Sequence, residues 1–260
     1  MVYLQLLIFL CIAFVTGAVF GSFLCAACVR FAKKETLRSR SYCDHCKHTL
    51  GARDLVPIMS FIVQGGKCRY CKHKISLLHP LVEIALGWVF LYIAYTWLLG
   101  SDQHAISFII RDWYISWVLM FIFVFDLLYM HVEDKIVVPA IGTIFIISGI
   151  FGWQSWGAML AGLLAGGGLF LVQYLLSRGK WVGSGDIFIG MFMGVVLGWP
   201  SILTGLFLAY IFGASISVIL MIFGQKQKGD QIPMGIYLAP ATFVAMFWGD
   251  AIMSWYLKFL

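Results

Sequence analysis

Long apolar runs separated by short polar gaps make up most of this chain. Such runs occupy roughly 4–29, 77–99, 107–130, 136–152, 157–177, 186–199, 201–223 and 234–256. Several of them reach the length of about 20 residues that a helix needs to cross a bilayer. The pattern predicts an all-α polytopic membrane protein with about eight transmembrane helices. One long polar stretch, residues 30–76, interrupts it. The first run has no basic residues before it; Arg30, Lys33 and Lys34 follow it. It therefore reads as a retained first span with its N-terminus outside, not as a cleaved signal peptide.

Composition agrees. The 260 residues are 62% hydrophobic and 12% charged, whereas soluble domains average about 45–50% and about 25%. The 27 glycines suit close helix packing in lipid. Eight spans leave room for one sizeable soluble loop and no separate soluble catalytic domain.

Charge orients the spans. The loop 30–76 carries 11 of the 18 Lys and Arg residues. Lys135, Arg178, Lys180, Lys226 and Lys228 fall on the same side, and only Arg111 and Lys258 fall opposite. Cytoplasmic loops carry the excess of positive charge, so loops 30–76, 131–135, 178–185 and 224–233 are expected inside. Loops 100–106 and 153–156 and both termini are expected outside. This bias accounts for the net charge of +6, and no nucleic-acid partner is needed to explain it.

The loop 30–76 holds Cys43-Asp-His-Cys46 and, 21 residues on, Cys68-Arg-Tyr-Cys71. Two such knuckles predict a four-thiolate zinc site. The loop has too little apolar content to fold alone, so metal binding would supply folding energy. Four thiolates leave no open coordination position, so the expected zinc is structural. A reducing cytoplasm argues against disulfides. His45, His48 and His73 lie close by and are read as solvated, not as substitute ligands. Cys25 and Cys28 share one face of the first span and are read as packing residues, as is Cys11.

Carboxylates inside spans are costly and call for a reason. Asp126 follows the run Trp117–Phe125 near the cytoplasmic end of the third span, and Asp186 opens the sixth after Gly183-Ser-Gly185. Both are expected at one depth on one side. Gly183 and Gly185 would supply unusual backbone angles and close approach, and Asp186 would sit at a helix N-terminus. Two close carboxylates share a proton, so one can act as base and the other as acid. The plain alternative is that Asp186 merely caps a helix. Asp134 competes with Asp126 as the partner, although it and Glu133 are more simply solvated. Glu83 either lines a polar cavity or pairs with a loop cation. Asp250 reads as interfacial, and Ser22 has no neighbouring His for a serine mechanism.

Together these features resemble the type IV prepilin peptidases, including those of Gram-positive competence pili. The residues that carry the resemblance run nearly the full length of the chain. They are Gly21-Ser22-Phe23 with Arg30, the cysteine pairs around Leu55-Val56-Pro57-Ile58-Met59-Ser60-Phe61, and His79-Pro80-Leu81-Val82-Glu83. Asp126-Leu-Leu-Tyr129-Met130, Gly183-Ser184-Gly185-Asp186, and Pro233 with Leu238-Ala239-Pro240 complete the set. The chain departs at Val132-Glu133, where the family often has Ile-Pro, and at Phe188, where a lysine is common.

The resemblance implies an intramembrane aspartyl endopeptidase in the bacterial cytoplasmic membrane, with Asp126 and Asp186 as its catalytic pair. Its substrates would be prepilin-like proteins cut after a Gly at the cytoplasmic face. Many family members then methylate the new N-terminus with S-adenosylmethionine. The expected organisation is a first transmembrane helix (1–29), a cytoplasmic cysteine-rich metal-binding loop (30–76) and a seven-helix membrane catalytic core (77–260). An ion-coupled transporter would also use membrane carboxylates and glycine-broken helices, but no two halves of similar pattern are visible. A non-enzymatic zinc-ribbon assembly protein would tolerate loss of both aspartates. Presenilin-like proteases share Gly-x-Gly-Asp but lack the cysteine loop.

Overall fold

A computed structural model describes residues 2–99, 105–222 and 233–258. Most of loops 100–106 and 224–233, with Lys226 and Lys228, lies outside the described residues, as does the C-terminal Leu260. Among the described residues the chain is helical, apart from two isolated bridges in the cysteine loop. The helices are α1 (Val2–Ala32), α2 (Met59–Val63), α3 (Leu78–Leu99), α4 (Ala105–Tyr129) and α5 (Asp134–Ile150). They continue as α6 (Trp156–Ser177), α7 (Ser184–Leu197), α8 (Ile202–Ile222) and α9 (Gly235–Leu257).

All eight expected spans are present as helices. Six of them, α1, α3, α4, α6, α8 and α9, are long and apolar enough to cross a membrane. The other two are shorter. At about 1.5 Å per residue, the 17 residues of α5 and 14 of α7 fall short of a hydrocarbon core of about 30 Å. The chain is a multi-pass membrane protein.

It divides into two compact units, residues 1–117 and 118–260. In the first, α1 lies along α3 because glycines remove the side chains between them. A Cβ on Gly21 would come within 2.8 Å of the Glu83 Cα. Trp113 stacks on Phe90 at 4.7 Å between ring centres. Asp112, buried in the same unit, accepts from Trp97 Nε1 and Arg111 Nε, each at 2.7 Å. Its cost inside a span is thereby offset by neighbours alone.

The second unit is built around α7, which buries eight of its 14 residues. Helices α5, α6, α8 and α9 all touch it. Gly162 and Gly166 of α6 face Gly194 and Gly190 of α7, backbone against backbone; a Cβ on Gly190 would lie 2.6 Å from the Gly166 carbonyl oxygen. Small residues allow this approach where lipid offers no hydrophobic drive to associate.

Candidate active site and metal centre

Asp126 and Asp186 come from two helix ends of the second unit. Asp126 lies three residues before the end of α4, and Asp186 is the third residue of α7. Both are buried. Both line one cavity of about 210 Å³, together with His131, Asp134, Lys180 and Met234.

Each carboxylate has one oxygen tied to backbone. The Gly183 amide donates to Asp186 Oδ2 at 2.9 Å. The Gly235 amide, at the start of α9, donates to Asp126 Oδ2 at 2.7 Å. Amide donors favour the ionised form, while the shared, partly buried space opposes two negative charges.

The glycines act differently from expectation. Gly183 sits at φ −75° and ψ 156°, ordinary extended backbone, and Gly185 is not among the positive-φ glycines. What Gly183 supplies is its amide. What Gly185 supplies is room: a Cβ there would stand 2.6 Å from the Val132 Cβ. Asp134 is exposed at the start of α5 but borders the same cavity. Gly235 was not singled out from the sequence. Its position two residues after Pro233, at a helix start, was the available signal.

In the first unit, the four cysteines converge. The sulfurs of Cys43, Cys46, Cys68 and Cys71 all lie within 4.8 Å of one another, and no histidine joins the cluster among the described residues. Cys43 Sγ and Cys71 Sγ are 3.9 Å apart. Tetrahedral zinc with Zn–S bonds of about 2.3 Å sets its sulfurs about 3.8 Å apart, so the donor set fits that ion.

Local backbone explains the convergence. The two knuckles repeat one pattern, Cys-x-x-Cys-Lys-His, at 43–48 and 68–73. In each, the first cysteine's amide donates to the histidine carbonyl, at 3.0 and 2.8 Å, and its carbonyl accepts the lysine amide, at 2.8 and 2.9 Å. Lys47 and Lys72 both take the left-handed conformation, at φ 58° and 60°. The histidines stack instead of ligating: His45 on His73 at 4.3 Å, and His48 against Tyr70 at 3.7 Å. The Cys71 amide, above all, pulls the Cys68 thiol down to about 7.

Glu83 is buried and borders a larger cavity, about 410 Å³, with Arg30, Ser22 and His79. Among the described residues no basic side chain pairs with it. Its Oε2 accepts the Ile58 amide at 2.7 Å. Ile58 is left-handed at φ 62° and ψ −53°, with the Met59 amide closing onto the Pro57 carbonyl. That is a γ-turn of the strained kind, held on one side by Glu83. Arg30 is likewise buried and donates to the Leu37 and Ser39 carbonyls at 2.7 and 2.8 Å.

Residues 15–97 match the Bacterial Peptidase A24 N-terminal domain, and residues 113–218 match the Type IV leader peptidase family. The prepilin leader peptidase/N-methyltransferase of Bacillus subtilis (strain 168) is 30% identical over 254 residues, covering 96% of this chain and 98% of that protein. This chain belongs to the type IV leader peptidase family. Proteins of the same description from Stutzerimonas stutzeri and Aeromonas hydrophila are each 31% identical over 224 residues. These alignments cover 84% of this chain and 75% and 74% of those proteins. No solved structure matches the chain. The two matched family segments divide much as the two centres do: all four cysteines fall in 15–97, and both aspartates fall in 113–218.

Proposed function

We propose that this leader peptidase family member is an aspartyl endopeptidase. It removes the leader of prepilin-like proteins and then methylates the new N-terminus with S-adenosylmethionine. The observation that carries the peptidase reading is the placement of two buried aspartates on one cavity, each with one oxygen held by a backbone amide. With one proton between them, the ionised member takes a proton from water as the water oxygen bonds the scissile carbonyl carbon. The protonated member gives its proton to the carbonyl oxygen. Collapse of the tetrahedral diol breaks the C–N bond: the first carboxyl protonates the leaving nitrogen, and the second recovers a proton from a diol hydroxyl. The pair returns to its starting state, as catalysis requires. A helical substrate must unwind locally to expose that bond.

The methylation rests on the names of the relatives, prepilin leader peptidase/N-methyltransferases. The four-cysteine cluster is read as a structural zinc site, because its four thiolates complete a tetrahedron. The reading keeps residues 30–76 as the metal-binding loop and faces both centres to the cytoplasm.

Incubating purified protein with a prepilin-like peptide, with and without S-adenosylmethionine, and weighing both products reads cleavage and methylation together. An uncut peptide, with the zinc site intact, overturns the peptidase reading. Orientation is tested separately: a reporter inserted at Lys47 should report cytoplasm and one after Leu260 the outside, and the reverse at either site overturns the sidedness.

A further inference from the structure

Helix α2 turns its apolar face away from the protein. Met59, Ile62 and Val63, three and four positions apart, share one side of that short helix. They are 56%, 64% and 80% exposed. Ser60 and Phe61 lie on the other side and line the Glu83 cavity. A helix at a water-facing surface carries the opposite pattern, with its polar side outward. An outward apolar face of this kind marks a contact with a partner or a membrane.

The patch is tied to the side of a membrane span. The Ile58 amide, at the start of α2, donates to Glu83 Oε2 at 2.7 Å. Ser60 and Phe61 share their cavity with Ser22 of α1 and Glu83 of α3. Glu83 lies five residues into α3, about 7 Å past Leu78 at about 1.5 Å per residue. Its side chain leans back toward the helix start by less than a turn. The Ile58 amide is therefore bound at the level of the first turns of α3, not above them. At that level α3 already shows an exposed apolar stripe, Leu81, Ile84 and Trp88, along a helix apolar enough to cross a membrane. Arg53 and Lys67, exposed on either side of the segment, suit anionic headgroups.

We propose that residues 55–63 are an in-plane membrane anchor. Met59, Ile62 and Val63 rest among the acyl chains of the leaflet that borders loop 30–76, and Glu83 is the positioning residue that holds α2 at that depth. Lipid is the occupant because the patch lies level with the lipid-facing stripe of α3. A short apolar face of this kind enters only the headgroup and upper acyl region, and five residues are far too few to span. The tether gives a buried acid inside a span its reason to be there, and it holds the metal-binding loop against the bilayer surface. Only the naming of that leaflet as the cytoplasmic one rests on the sidedness proposed above.

The test uses the full-length protein in nanodiscs of phosphatidylcholine and phosphatidylglycerol. Trifluoromethyl-phenylalanine is placed at position 63 and, in separate preparations, at position 81 as the lipid reference and at the exposed position 38 as the water reference. Lipid carrying a nitroxide on its acyl chain should erase the fluorine signal at position 63 as it does at position 81, and a water-soluble gadolinium chelate should spare both. Position 38 should respond the other way. Glu83→Ala should hand position 63 from the nitroxide to the chelate. Glu83→Gln, whose side-chain oxygen can still accept the Ile58 amide, should keep the pattern of the unaltered protein.

Position 63 behaving like position 38 in the unaltered protein overturns the anchor. Protection from both reagents overturns it too, since a second copy of the chain would then cover the patch. A chelate effect that disappears on adding a prepilin-like peptide would make the patch a substrate surface instead. An unchanged position 63 in Glu83→Ala, or loss of the pattern in Glu83→Gln, removes Glu83 from the scheme; the second keeps the point decidable if Glu83→Ala fails to accumulate. The spectra read no cleavage, so an inactive protein with position 63 in lipid would sink the peptidase reading and leave the anchor standing. The reporter at Lys47 alone decides which leaflet it is.

Discussion

The cysteine cluster and the aspartate cavity bring their chemistry together by different means. In the cluster, each pair of ligands is three residues apart, and each knuckle is closed by hydrogen bonds among its own six residues. In the cavity, Asp126 and Asp186 are sixty positions apart, and each is held by a helix start. For Asp126 that start lies more than a hundred residues further along the chain. One centre is built from two local turns whose four sulfurs meet within 4.8 Å. The other exists only once α4, α7 and α9 have packed. Changes at the second should therefore act on chemistry, and changes at the first on loop stability.

The largest expected effect tests the cavity. Asp126→Asn and Asp186→Asn should each lower cleavage by roughly three orders of magnitude or more, and the double variant should be scarcely worse than either, because a catalytic pair acts as a unit. Protein level and membrane insertion should be unchanged, since Asn can keep the amide contacts. Cleavage assays on the three variants check this; strictly additive losses would separate the two carboxylates. Asp134→Asn should keep substantial activity. Loss there but not in Asp126→Asn would make Asp134 the partner of Asp186.

Next in size is the cluster. The protein should carry about one zinc per chain, and Cys43→Ser with Cys68→Ser should abolish it. Metal analysis checks the content, and limited proteolysis of residues 30–76 checks the consequence. Without metal the loop should become protease-sensitive while residual cleavage activity exceeds that of either aspartate variant. Zinc retained in the double variant would break the four-thiolate assignment.

The smallest effect should come from Gly185→Ala. Its Cβ would press on Val132, at 2.6 Å, and overpacking of this kind costs about 1–3 kcal/mol. Activity should fall partway, and Val132→Gly in the same chain, which removes the opposing Cβ, should restore much of it. A full loss that Val132→Gly does not relieve would give Gly185 a role beyond clearance.

Much of the molecule was legible in the sequence. The spans were visible because a bilayer demands long apolar runs, and the helices start and stop within a few residues of them. The two knuckles were visible because their ligands are local. The repeated Lys-His after each cysteine pair was also there to be read, and it marks the two left-handed lysines. The end of α7 was less plain: its apolar run continues through Gly198 and Trp199, and only the backbone shows the helix ending at Leu197.

What the sequence determined by itself was the membrane class, the four-cysteine donor set and the two aspartates that need a reason to be in apolar helices. Those follow from solvent cost and from short spacing, which are properties of the chain. Only the tertiary structure decided which neighbours satisfy the carboxylates. It gave Glu83 to the Ile58 amide, Asp112 to Trp97 and Arg111, and Asp126 to Gly235. A buried charge is satisfied by whatever donor packing brings within hydrogen-bond reach, and packing between distant helices leaves no spacing in the sequence to read.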